Sequence, residues 1–325
     1  MINKAWQLFD NYVIARWQHR PSTAMFWYLS EPANIMSKAN LESYQRARPS
    51  PFYLMDYSQK LKYKLCNQDG IIVLPYPDIG EKINPEAAFQ YALGLHDEYY
   101  QSGNDEYKTK FLNYADYFLA KQTRNGLWAY DFDWYGSKAP WYSALAQSRG
   151  ASVMLRAYLL TEQQHFLDAA KNALALFQVP TCQGGFCHVF KEADCAYFEE
   201  YPQTPTGVIN GMMASLLGIW ECQYWLKENW LKELWGLGIH SLQTMLPFYN
   251  IGWWSLYDLD HTVPIINVNS PRYHLLEMNY LSVLAVLSET SAIKLEHEKR
   301  ERQYQRLLAR VCATGIKGVR KVLYR

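Results

Sequence analysis

Nowhere in these 325 residues does an uncharged apolar run approach the ~18–20 positions that a membrane-spanning helix needs. The most apolar stretch, 208–220, is too short. A charge excess is missing too: 32 Lys and Arg face 31 Asp and Glu, a net +1, where a general nucleic-acid binder would be basic. The six cysteines are too sparse for a small disulfide scaffold and fit a reducing compartment. Cys182, Cys187, His188 and Cys195 cluster, but their spacing is not that of a usual zinc site, so no metal is expected. The first 17 residues read as an amphipathic helix interrupted by Asp10, Asn11 and Arg16 and not as a signal peptide, which suggests a cytoplasmic protein.

What is abundant is aromatic: 26 Tyr, 13 Phe and 12 Trp. Tyr and Trp suit surfaces that are partly apolar and partly wet, including clefts that stack on sugar faces, although a helical core also uses them as filler. Apolar residues recur at helical spacing over 107–118, 166–177 and 231–245, and strand-like alternation is confined to short pieces. The class is mainly α. Glycine turns at Gly70, Gly126, Gly185 and Gly252 are 56, 59 and 67 residues apart, and each interval has room for a helix pair. Repeated hairpins with a turn at one end point to an α/α toroid whose loop-lined cleft lies where those turns gather.

Three regions follow: an N-terminal helix and irregular wrapping segment over 1–70, the toroid over 71–293, and a basic helix and tail over 294–325. The last carries ten Lys and Arg against three Glu, leaving −6 for the rest. Such a segment reads as a solvated helix end, or as a surface for an anionic polymer, membrane or partner.

The segment richest in chemistry is Tyr197–Thr206. Pro202 and Pro205 keep the residues before them extended, which puts Glu199 and Tyr201 on one face and Glu200 on the other. Mutual repulsion of the two carboxylates raises a pKa, and a helix opening near Thr204 or Thr206 opposes it. Further aromatic and polar clusters are Trp253–His261, Pro271–His274 and Pro140–Gln147.

These residues, taken together, resemble the C-terminal domain of the D-glucuronyl C5-epimerases. The resemblance is carried by Trp-Tyr-Ser-Ala-x-x-Gln at 141–147, Arg-Ala-Tyr-Leu-Leu-Thr at 156–161 and Glu-Glu-Tyr-Pro-x-Thr-Pro at 199–205. It continues through Asn210-Gly211, Met-Leu-Pro-x-Tyr at 245–249, Tyr-Asp-Leu at 257–259 and Tyr273-His274, and covers about residues 70–290.

The resemblance implies a helical toroid acting on a uronate-containing polysaccharide such as heparosan, converting D-glucuronate to L-iduronate without a cofactor. It places Glu200, Tyr201, Tyr257 and Tyr273 at the site. Epimerisation removes the C5 proton, α to a carboxylate, and returns one to the opposite face, so a base, an acid and a charge-neutralising partner are required. Glu200 and Tyr273 are expected as the opposed proton-transfer pair, with Tyr201 and Tyr257 orienting substrate or substituting for them. Arg156, Arg272 and His274 are candidates for the carboxylate, and Trp141, Tyr142, Gln147 and Asn210 for the cleft wall. The alternatives are a polysaccharide lyase, which abstracts the same proton, and a non-catalytic glycan-binding protein. A second copy of the chain is a candidate partner. Asp260 stands where the family carries a basic residue, which removes an expected contact to a sulfate or carboxylate.

Overall fold

The computed structural model describes residues 22–29, 38–134, 136–190 and 193–324, with Asp10, Ile14 and Gln18 singly; the helix expected before residue 18 lies outside the described residues. Two short helices come first, α1 (Thr23–Tyr28) and α2 (Lys38–Arg46), so the N-terminal region is less irregular than its prolines suggested. Four hairpins follow: α3 (Pro85–Ser102) with α4 (Asp105–Lys121), α5 (Ala144–Thr161) with α6 (Gln164–Ala175), α7 (Ile209–Leu226) with α8 (Asn229–Met245), and α9 (Pro271–Ser288) with α10 (Ser291–Tyr304). Helix α11 (Leu307–Tyr324) ends the chain. Two antiparallel strand pairs are the only sheets among the described residues: β1 (Leu74–Tyr76) with β2 (Gly80–Lys82), and β3 (Cys187–Phe190) with β4 (Cys195–Phe198).

The first helix of each hairpin packs on the first helix of the next, α3 on α5, α5 on α7 and α7 on α9, while the second helices lie outside. Burial follows this arrangement. Helices α5 and α7 are buried around nearly their whole circumference over their first fourteen residues. In α4, α6 and α8 one face is buried, including Phe111, Phe118, Phe166, Leu174, Leu231 and Leu242. Close approach of α5 and α7 depends on Gly218, where a Cβ would come within 2.3 Å of the Ser148 carbonyl oxygen. The seam between α9 and α3 is bridged by the N-terminal segment: Lys60 Nζ donates to Phe26 O at 2.8 Å, and Arg272 on α9 donates to Trp27 O. The result is a mainly α, α/α toroid. Among the described residues no helix is long and apolar enough to cross a membrane.

The two ends of the ring are built differently. At one end each inner helix turns into its outer partner through two residues. The first of these takes a left-handed conformation: Gly103, Glu162, Lys227 and Glu289, with φ of 68°, 59°, 57° and 53°. At the other end the outer helices return through long loops, 122–143, 176–208 and 246–270, which carry Gly126, Gly185 and Gly252 and lead to the starts of α5, α7 and α9.

Helix α11 inverts the usual amphipathic arrangement. Its basic residues Lys317 and Arg320 are buried, and Leu307, Leu308, Val311, Val319 and Leu323 face solvent. Part of the segment read as a solvated end is therefore docked, through Lys317 and Arg320 together with Ala309 and Ala313.

Candidate active site

The long-loop end collects the expected site residues. Helix α7 starts later than the sequence suggested, at Ile209, with Val208 and not a threonine at the N-cap. The reason is local: Gly207 is left-handed (φ 66°), and the Thr206 carbonyl accepts from Leu259 N at 2.8 Å, tying 206 to the Tyr-Asp-Leu loop. Ile209 N donates to Tyr257 O at 3.2 Å, so the same loop lies across the start of α7.

Glu199 and Glu200 are both buried. Glu199 Oε1 accepts from Gly207 N at 2.9 Å, and burial pushes its carboxyl up to about 8 against the pull of the Gly207 and Thr206 amides. Glu200 packs against α7 at Gly211, where a Cβ would lie 2.6 Å from Glu200 Cβ; only glycine leaves room for this carboxylate. Beside it Asn210 is buried, and its Oδ1 has no hydrogen-bond partner among the described residues.

Aromatic rings form the wall. Trp141 stacks on Tyr130 at 3.8 Å, donates Nε1–H to Phe132 O at 2.7 Å, and stands 5.7 Å from the Tyr201 ring. Tyr142 next to it is half-buried. Tyr257 and Tyr273 meet edge to face at 5.1 Å; Tyr257 is nearly buried and Tyr273 is 37% exposed. Tyr273 and Arg272 line a small pocket of about 60 Å³ together with Trp27, Tyr57, Lys60 and Gln90. Lys60 was not foreseen. Burial, reinforced by Arg272 and Arg149, pushes its ammonium toward the neutral amine.

Three expected site residues are not brought to this cleft. Arg156 is buried in the far half of α5, where Nε and Nη2 donate to Glu221 Oε1 at 2.9 and 2.5 Å, Nη1 to Ser50 O and Nη2 to Phe52 O. His274 stacks on Trp254 at 3.9 Å. Its Nε2 donates to Arg300 O at 2.9 Å, so Nδ1, 2.7 Å from Ser255 Oγ, is the acceptor; burial holds the ring neutral, at about 3. Gln147 is buried with Nε2 on Gly126 O and Oε1 on Trp128 N, fixing a loop and not a substrate. In each case the side chain's polar atoms are already used inside the core. Glu277 pairs with Arg300 and accepts from Asn269, which also donates to Ser255, so this network holds the loop before α9.

The terminal helix also reaches the site. Lys317 Nζ lies 4.3 Å from the Tyr257 ring centroid, and Arg320 pairs with Asp260 at 2.7 Å. The position that lacks a basic residue in sequence thus has a guanidinium against it. No group of three or more His, Cys, Asp or Glu among the described residues is arranged to hold a metal ion.

The model of the D-glucuronyl C5-epimerase C-terminus matches residues 121–302, more than half of the chain. The chain belongs to this family. Helices α5 to α9, all but the last two residues of α10, and the three long loops lie inside the match; α1 to α3, nearly all of α4, and α11 lie outside it. The D-glucuronyl C5-epimerase of Caenorhabditis elegans is 29% identical over 214 residues, 58% of this chain and 34% of that protein. The uncharacterized protein MJ1128 of Methanocaldococcus jannaschii is 30% identical over 161 residues, 48% of this chain and 51% of that protein. The matched part thus spans between a third and a half of these relatives. Among solved structures, the glycoside hydrolase family 76 mannosidase Bt3792 from Bacteroides thetaiotaomicron aligns over 76% of both chains at 11% identity, with a TM-score of 0.43.

Proposed function

We propose that this epimerase-family chain inverts C5 of a D-glucuronate unit within a polysaccharide, giving L-iduronate. The observation that carries the reading is Tyr273, which lines a pocket with Arg272 and Lys60 and meets Tyr257 edge to face, on the end where Glu200 is held against α7. A base takes the C5 proton, and the electron pair moves into the carboxylate to give an aci-carboxylate. A proton from the opposite side of the ring then restores C–H with the other configuration. Glu200 and Tyr273 are the opposed pair in this scheme, and Tyr201 and Tyr257 orient the ring or stand in for a member of that pair. Arg272 meets the substrate carboxylate. Lys60 joins it, because an arriving anion restores the ammonium that burial disfavours. Trp141, Tyr142 and Asn210 form the wall that accepts the sugar face and a hydroxyl.

The test is incubation with unsulfated heparosan-type polysaccharide in D2O, followed by NMR of the uronate C5 position. Deuterium at C5 together with iduronate signals is the expected result. Unsaturated uronate without exchange would reassign the same proton abstraction to a lyase. An unchanged polymer, across a panel of uronate glycans, would reduce the site to binding.

A further inference from the structure

Helix α11 lies beyond the family match, yet it is fastened to the loop that carries Tyr257. Lys317 Nζ stands over the Tyr257 ring and donates to Asn267 Oδ1 at 2.6 Å. Asn267 donates from Nδ2 to Asp258 Oδ2 at 2.5 Å, and its carbonyl accepts from Tyr257 N at 2.7 Å. One turn on, Arg320 pairs with Asp260 and donates to Ile265 O. Both arms of the loop are therefore held by the buried, charged face of a helix whose apolar face is left in solvent.

We propose that α11 is part of the site and that Lys317 is a positioning residue: it clamps the Tyr257 ring against Tyr273 and holds a positive charge where the phenol becomes a phenolate. This rests on the epimerase reading only for the use made of Tyr257. A cation on the ring face fixes the plane, and a positive charge within ~4–6 Å favours the ionised phenol. Tyr273 on α9 meets the ring, Glu277 on α9 and Asp258 on the loop lie within electrostatic reach of Lys317, and Arg300 on α10, Arg320 on α11 and Glu199 act on those two carboxyls in turn. Of the carboxyls closest to Lys317, Asp258 and Glu277 are both pushed toward the neutral acid by burial, which weakens their opposition.

The experiment reads the phenol directly. In the full chain labelled with 13Cζ-tyrosine, the Tyr257 resonance is assigned by its loss in Tyr257→Phe and titrated in the native protein, Lys317→Met, Lys317→Arg and Arg320→Met. Lys317→Met is expected to raise the midpoint by about one pH unit, with Lys317→Arg restoring it and Arg320→Met leaving it in place. Lys317→Gln, which keeps a polar group for Asn267, replaces the methionine variant if that one does not fold. In C5 exchange the corresponding pH limb should move up by the same amount, with kcat falling and KM held within roughly twofold. An unmoved Tyr257 midpoint in Lys317→Met overturns the proposal. So does an equal shift in Arg320→Met, or a native resonance that does not titrate below about pH 11. Because the titration needs no substrate, failure of C5 exchange in every variant would sink the epimerase reading and leave this result decided on its own.

Discussion

Helices α5 and α7 hold polar groups at both ends, and the two ends treat them in opposite ways. In the halves near the two-residue turns, Arg156 meets Glu221, two backbone carbonyls and His96, so the guanidinium is saturated in a dry core. Near the long loops, Glu199 is met by backbone amides, Asn210 Oδ1 has no partner among the described residues, and Tyr273 is over a third exposed. Short turns leave nothing over the first end for a ligand to approach. Long loops bring carboxyls and phenols over the second, where Glu277 and Asp260 are paired with Arg300 and Arg320 while Glu199 Oε2 and Asn210 Oδ1 have no partner among the described residues. In the proposed reading the Arg156–Glu221 pair serves the fold and the groups at the long-loop end serve the chemistry.

The largest effect that tests this contrast is at the closed end. Arg156→Met strands Glu221 as a buried carboxylate and should cost about 3–5 kcal/mol of stability in urea unfolding. Removing both partners together should recover much of it. C5 exchange per folded molecule should not change. A stable Arg156→Met protein that had lost exchange would break the contrast and return Arg156 to the site.

Next comes the open end. Tyr273→Phe removes one hydroxyl from a partly exposed ring and should lower C5 exchange about a hundredfold or more, the usual scale for a general acid or base. Affinity for the polysaccharide and the unfolding midpoint should stay near native. Normal turnover would remove Tyr273 from the proton-transfer pair.

Glu199 sharpens the electrostatic side. Its folded-state pKa is raised to about 8, above the ordinary carboxylate value, so the folded protein keeps a proton that the unfolded chain has lost between roughly pH 4.5 and 8. Stability contributed by this group is complete below that window and falls through it as pH rises, by ~1.4 kcal/mol per unit at the steepest. Glu199→Gln mimics the protonated acid and should flatten the curve, which thermal unfolding from pH 5 to 8 would measure. An unchanged slope would mean that other groups set it.

The sequence was most legible where one rule decided the outcome. Helical spacing located α4, α6 and α8, and the glycine turns marked the end where the loops gather. The segments around 200, 257 and 273 lie at the same end of the ring, linked by Ile209 N to Tyr257 O and by the Tyr257–Tyr273 contact. Arg156, His274 and Gln147 misled, because a polar residue inside a motif can be held there by its core contacts; nothing local shows that Glu221, Ser255 or the Gly126 carbonyl lies opposite. Lys60 and Lys317 were missed for the converse reason. They stand in the flanking segments, and only the closure of the ring and the docking of α11 bring them to the cleft. The basic patch of 294–325 suggested a face turned to solvent, and Lys294, Lys299, Arg302 and Arg306 are exposed, yet Lys317 and Arg320 face inward because loop 257–267 offers Asn267, Asp260 and a carbonyl.

That docking predicts the smallest effect. Asp260 is mostly buried beside Arg320, and Thr262 together with Arg320 lowers its carboxyl pKa despite the burial that opposes this. Asp260→Asn keeps the shape, removes the charge and should cost about 1 kcal/mol, visible as faster hydrogen exchange in α11 and not as global unfolding. The freed Arg320 guanidinium should also steepen the salt dependence of anionic-polymer binding. Asp260→Arg would set two guanidiniums against each other and should release the helix instead. Because Lys317 holds the same loop from one turn away, Asp260→Asn should leave the Tyr257 titration where it was. A shift there would mean that the two anchors act as one.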